Sequence, residues 1–335
     1  MKRVWIAVAL VLLGPSTVRA ETIYASWIHY PPDGAPPLTR FESASPELQE
    51  DPFTETPLLG PYSLDFDLVT GQLWGFNYLE CNITCPPAPP PVIIDLETGT
   101  PSNPQLPGFL ASTFEGFDTD IDPVTRELRY FSSDGDNAAY SLNSMQWQTG
   151  TPLKVSFGAA AVAHRAPGGG TSGVETYAIG RLRGQPAGSP WYHLVRIGGP
   201  GGDPPVTSGE VSVIAPIDLE AERLWFDISL SGEAYLAVLL PYDPPGEETK
   251  LYRVDLSTGA LDLLGVIGMP AAPGGTSFLS GIAVAPSGPG DGIPAIPALS
   301  TLGAAILALV LALAALFGPH PFALARRHFS RGSSS

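Results

Sequence analysis

The densest set of side chains able to do chemistry is acidic: Asp118, Asp120 and Asp122, followed by Asp134 and Asp136. Alternating aspartates on a strand would put three carboxylates on one face, and Ca²⁺ takes roughly six to eight such oxygens. A helix–loop–helix calcium loop starting at Asp118 would need Gly and Glu where Pro123 and Arg129 stand. Alternation with Thr119 and Ile121 equally describes a strand with one solvated face. Calcium is therefore a candidate cofactor, and no other is implied. Cys81 and Cys85 flank Asn82-Ile83-Thr84 in a Pro-rich stretch. In an exported chain such a pair reads as a disulfide, with free thiols as the alternative. Zinc would need two more ligands, and the body offers only His29, His164 and His193.

Signatures of catalysis are missing. There is no G-x-S-x-G elbow. The glycine runs at 168–170 and 198–202 lack a following helix pattern or lysine, so they read as loops rather than phosphate cradles. His164 follows the alanine run 159–163 and reads as a structural residue at a strand end. Trp27, Trp74, Trp147, Trp191 and Trp225 could stack on sugars, but strand tryptophans more often pack in cores.

The elements that must position these groups are short strands. Segments rich in Val, Ile, Leu, Tyr and Phe are punctuated by Gly, Pro, Asn and Asp, and none keeps helical spacing for three turns. A strand–turn unit recurs: Asp67-Leu68-Val69-Thr70-Gly71, Asp95-Leu96-Glu97-Thr98-Gly99 and Asp255-Leu256-Ser257-Thr258-Gly259. Asp122-Pro123-Val124-Thr125-Arg126 is a degenerate copy. The Asp can cap turn amides, and the Gly supplies a positive φ. Irregular spacing of hairpin-sized units suits an all-β fold, a β-propeller in the first place and a β-sandwich as the alternative. In a ring, Thr22–Ala25 would complete a blade with Gly281–Val284, which removes exposed edges.

Both ends carry targeting signals. Lys2 and Arg3, an apolar run from Val4 to Leu13, and Val18-Arg19-Ala20 read as a signal peptide over residues 1–20, cut between Ala20 and Glu21. A propeller-like body follows at 21–292. The segment 293–331 holds a candidate transmembrane helix at about 299–317. Its Leu, Ile, Val and Phe residues in 304–317 favour insertion by about 4 kcal/mol together. Arg326, Arg327 and Arg331 follow as a cytoplasmic anchor, so the body faces outward.

Ile296-Pro297-Ala298-Leu299-Ser300-Thr301-Leu302-Gly303 resembles the IPTLxxWG signature of IPTL-type C-terminal sorting signals. Ile296, Pro297, Leu299 and Gly303 match it; Ala298 and Leu302 replace its Thr and Trp, and residues 318–325 separate span from arginines. The resemblance implies a bacterial cell-envelope protein and an exosortase-type processing enzyme as partner. A second block, Asp120-Ile121-Asp122-Pro123 with Leu128-Arg129, Ser132, Gly135 and Asn137, resembles a set of exported bacterial propeller-like domains of unknown function. The hairpin from Ala234 to Gly268 looks like the closing segment of that family, although Glu127 and Ala139 stand where its arginines are usual. The resemblance implies a fold and an address, without an activity.

The full chain has 17 basic and 33 acidic residues, but six basic residues lie in the end segments. The body keeps 11 against all 33 acids, a net of −22. Such a surface repels nucleic acid and anionic lipid. The sequence thus predicts an exported, membrane-anchored, non-enzymatic interaction module with an unidentified extracellular ligand. The alternative is a metal-dependent propeller hydrolase or lactonase, and a purely structural matrix protein is a third reading.

Overall fold

In the computed structural model the described residues are 20–30, 38–50, 62–77, 91–102, 119–131, 135–144, 146–167, 173–186, 188–240, 248–268 and 276–286. They form nineteen strands and two 3₁₀ turns, and no α-helix occurs among them. The N-terminal pair is β1 (Thr22–Tyr30) and β2 (Leu38–Glu42). Blade I follows, with β3 (Tyr62–Asp67), β4 (Gln72–Asn77), β5 (Val92–Ile94) and β6 (Pro101–Ser102). Blade II holds β7 (Asp120–Ile121), β8 (Glu127–Phe131), β9 (Asn137–Ser141) and β10 (Gln146–Thr149). Blade III holds β11 (Phe157–Arg165), β12 (Glu175–Leu182), β13 (Tyr192–Ile197) and β14 (Val211–Ile217). Blade IV holds β15 (Arg223–Ile228), β16 (Ala234–Leu239), β17 (Thr249–Val254) and β18 (Leu261–Ile267). The last strand, β19 (Thr276–Val284), returns to pair with β1 and makes blade V in the order β19-β1-β2.

The architecture is an all-β, five-bladed propeller of four four-stranded meanders and one three-stranded blade. The first strand of each blade (β3, β7, β11, β15 and β19) packs against the first strand of the next, which makes the inner ring. Ring closure follows the expected segments. Ile23 pairs with Val284, Tyr24 with Ala283 and Ala25 with Ile282. Joining the N-terminal strand to the C-terminal one leaves the ring without a free edge at its seam.

The core is divided into five apolar clusters, one at each junction of neighbouring blades. Strand β16 shows why its sequence AYLAVL is apolar throughout rather than alternating. Ala234, Leu236 and Val238 enter the cluster shared with blade III, while Tyr235, Ala237 and Leu239 enter the one shared with blade V. A strand packed on both faces reads as a continuous apolar run.

The D-L-x-T-G units turn out to serve two kinds of turn. Asp67 and Asp122 close the turn from the first strand of a blade to the second, whereas Asp95 and Asp255 close the turn from the third to the fourth. Their spacing therefore mixes positions within a blade with positions between blades. In each full copy the Asp carbonyl accepts the Gly amide at 2.7 Å, and Gly71, Gly99 and Gly259 have φ near +70°.

The chain divides into two compact units, residues 1–292 and 293–335. The second, with Ile296, Pro297, Leu299, Gly303, Arg326, Arg327 and Arg331, lies outside the described residues, as do residues 1–19, Cys81 and Cys85. Among the described residues no helix is long and apolar enough to cross a membrane.

Candidate functional site

Four titratable side chains from four blades are buried near the axis: Asp65 on β3, Asp120 on β7, His164 on β11 and Asp227 on β15. Three of them tie their blade to the next. Asp65 accepts its neighbour Phe66 N–H at 2.6 Å and, across the junction, Ile121 N–H at 2.5 Å. Asp120 accepts His164 N–H at 2.6 Å. Asp227 accepts Ile228 N–H at 2.6 Å and Val284 N–H at 2.5 Å. A carboxylate suits this place because it can accept one amide on each oxygen, satisfying donors that a buried inner strand cannot pair within its sheet.

Collecting acids in a buried ring shifts their ionisation. Burial, then the charges of Asp120 and Asp227, push the Asp65 carboxyl well above the ordinary carboxylate range, and Asp65 also hydrogen-bonds to Asp120. Burial raises Asp227 to about 6, against the lowering effect of its two backbone bonds. His164 has its Nδ1 3.2 Å from Asp120 Oδ1, and burial lowers its pKa to about 4. The site thus favours neutral forms on both the acidic and the basic side.

Of the acidic cluster expected at 118–136, Asp120, Asp122 and Asp136 are described. Asp120 belongs to the inner ring, while Asp122 caps the next turn through Val124 and Thr125 N–H, both at 2.9 Å. Asp136 is exposed, and Asp118 and Asp134 lie outside the described residues. No group of three or more His, Cys, Asp or Glu placed to hold a metal ion occurs among the described residues. Glu21 is built into the body: its amide donates to Ser43 Oγ at 3.0 Å, and its Oε1 accepts from Ser231 Oγ at 2.7 Å. Ala20, just before it, is exposed.

Sequence reasoning missed Asp65 and Asp227. A local signal exists: Leu64-Asp65-Phe66-Asp67, Thr119-Asp120-Ile121-Asp122 and Phe226-Asp227-Ile228-Ser229 share the position of the ring acid. At the corresponding place in blade III stands Ala163, and the junction of blades III and IV is filled by apolar side chains instead. Trp27 and Trp225 are fully buried and Trp74 nearly so, as packing residues, whereas Trp191 is 55 % exposed.

Among the described residues, two surface clefts flank the junction of blades III and IV. The larger, about 520 Å³, contains Arg253, whose Nη2 already pairs with Asp262 at 2.8 Å. The other, about 360 Å³, is lined by Arg181, Arg183, Tyr192 and Arg223.

Fold and inner ring together define a five-bladed β-propeller with inter-blade carboxylate ties. No family model matches the chain, and no curated protein does. Among solved structures it is similar to the crystal structure of the tricorn protease, with a TM-score of 0.33 and 13 % identity over 77 % of this chain and 28 % of that one. The chain spans less than a third of that protein's length, and no activity is carried over from it.

Proposed function

We propose that the protein is an exported, envelope-anchored propeller that works as a non-enzymatic interaction module. The observation that carries this reading is the use made of the central acids. Asp65, Asp120 and Asp227 hold neighbouring blades together through backbone amides, which fits a rigid platform better than a reaction centre. Export is supported by the position of Glu21, since a cut after exposed Ala20 would leave every body strand intact. The apolar span and the Arg326, Arg327 and Arg331 cluster support anchoring with the body outward, and the IPTL-like residues support processing by an exosortase-type enzyme.

Cell fractionation with mass spectrometry of both termini tests the address. A mature N-terminus at Glu21 in the envelope fraction is expected, and a cytoplasmic protein that starts at Met1 would overturn it. A panel of esters, lactones and glycosides, assayed with and without added Ca²⁺, tests the absence of catalysis. Calcium-dependent turnover would favour the hydrolase reading.

A further inference from the structure

The inner strands end at one level. Each carboxylate tie links the end of one inner strand to its counterpart in the next blade: Asp65 to the Ile121 amide, Asp120 to that of His164, Asp227 to that of Val284. The turns from first to second strand therefore lie on one face of the ring, and they touch there. Arg126 in the turn of blade II reaches Asp67 in that of blade I. Ser231 in the turn of blade IV donates to Glu21, which opens blade V. In blade V the two ends of the body take the place of the turn. Ala285 N–H donates to Thr22 O at 2.8 Å, so the chain enters at Glu21 and leaves beyond Ala285 on this same face.

Three of the eight large apolar side chains exposed among the described residues sit at the tips of these turns. They are Val69 in blade I (60 % exposed), Val124 in blade II (62 %) and Leu230 in blade IV (45 %). The turn of blade III includes residues outside the described ones. A single exposed aliphatic needs no explanation, but three at one structural place do. The turn itself does not demand them. Val69 and Val124 hold the third position of the D-L-x-T-G unit and its degenerate copy, where the outer turns of blades I and IV carry Glu97 and Ser257. The same local geometry is thus apolar near the axis and polar at the rim.

We infer that this face rests on the bilayer that holds the C-terminal tail, with Val69, Val124 and Leu230 dipping into the lipid interface. Only the twelve residues 287–298 separate the last described residue, Pro286, from the apolar span, and fully extended they reach about 40 Å. So short a tether keeps the exit face near the membrane, and the high local concentration makes a weak apolar contact effective. Exposed Asp95, Glu97 and Asp255 on the outer turns of this face repel anionic headgroups, so the lipid it fits is neutral. The inference rests on the anchoring part of the proposed function and turns the opposite face of the ring outward.

Photo-crosslinking of the full chain in phosphatidylcholine vesicles, with a phosphatidylcholine carrying a diazirine high in its acyl chain, tests it. Lipid adducts are expected on residues 68–70, 123–125 and 229–231, besides those on the span. The triple variant Val69→Ser, Val124→Ser, Leu230→Ser should lower labelling of these turns about tenfold with the melting temperature unchanged. Added phosphatidylglycerol should lower it as well, and a rise would overturn the choice of a neutral lipid. Adducts confined to the span, or equal labelling of the triple variant, would overturn the docking and leave the anchor standing. Unlabelled tips in a chain that is dimeric in the vesicles would give the face to a second copy instead. A chain that fails to float with the vesicles would overturn the anchoring and the docking with it.

Discussion

Arg126 of blade II donates from Nη2 to Asp67 Oδ2 of blade I at 2.6 Å, and from Nε to the same oxygen at 3.0 Å. Asp67 is wholly buried and also accepts from Thr70 Oγ1 and Val69 N–H. Arg126 occupies the turn position that is glycine in the full D-L-x-T-G copies. It is the single non-glycine residue with positive φ among those described, at +56°. The departure from the motif is thus itself a tie between blades, held at the cost of a left-handed backbone. Arg126→Ala should lower stability by about 2–3 kcal/mol, because it leaves a buried carboxylate short of its partner. Arg126→Gly should lower it by about 1 kcal/mol less, since glycine relieves the backbone. Chemical denaturation of both variants checks this; equal losses would mean that the left-handed turn carries no strain.

The inner ring predicts an unusual pH profile. Asp227 has a folded pKa of about 6, raised above its unfolded value, so its contribution is fully present below about pH 4 and fades as pH rises through 6. Asp65 acts in the same direction. His164 is lowered to about 4, so the unfolded chain binds its proton more readily, and stability gains as pH rises from about 4 to 6.5. The charges that bear on His164 are Asp122, Arg129, Asp227 and Glu127. The opposing slopes overlap, but two acids outweigh one imidazole, so His164 compensates only part of the loss and these three groups together should make the wild-type protein less stable as pH rises from about 4 to 6. His164→Gln removes the rising slope, and its stability relative to wild type should fall by about 1–3 kcal/mol over that interval. Melting curves across the interval decide the matter, and a difference that stays constant with pH would refute the compensation.

How much of this was legible in the sequence depends on the range of the interaction. The D-L-x-T-G turns are local, five residues long, and Asp255 capping Ser257 and Thr258 N–H is what those residue types imply. Ring closure was legible because Thr22–Ala25 and Gly281–Val284 are the two outermost strand-like segments of the body. The acid ring was not, because Asp65 and Asp227 stand 162 positions apart and only blade topology brings them together. The arginine cleft was hidden for the same reason: Arg181 lies near the end of β12 and Arg183 just after it, whereas Arg223 opens β15, with two strands in between.

Trp225 is the side chain that seals blades IV and V. It is fully buried, and its Nε1 donates to Ser280 O at 2.8 Å in the bulge of β19. Trp225→Phe keeps most of the apolar area but leaves that carbonyl unpaired in the core, for an expected loss of about 1–3 kcal/mol. Trp225→Ala adds a cavity and should cost about 3–5 kcal/mol. Comparing the two by denaturant unfolding separates the hydrogen bond from the packing, and similar losses would show that the ring fills no space that matters.

Gly71 and Gly259 hold the same turn position with φ of +70° and +71°, but their surroundings differ. A Cβ on Gly71 would meet nothing within 4 Å, whereas one on Gly259 would lie 2.8 Å from Ala215 Cβ of blade III. Gly71→Ala therefore carries only the backbone penalty, about 1 kcal/mol. Gly259→Ala carries the same penalty and an overpacking cost of about 1–3 kcal/mol, since the turn of blade IV abuts β14 there. Removing the opposing methyl should give that second part back, so the double variant Gly259→Ala with Ala215→Gly should recover stability relative to Gly259→Ala alone. Alanine at 215 lies within a strand, where glycine itself costs about 0.5–1 kcal/mol, and the recovery will be partial. If the two single glycine variants lose the same stability, the close approach of blades III and IV at this turn contributes nothing to the ring.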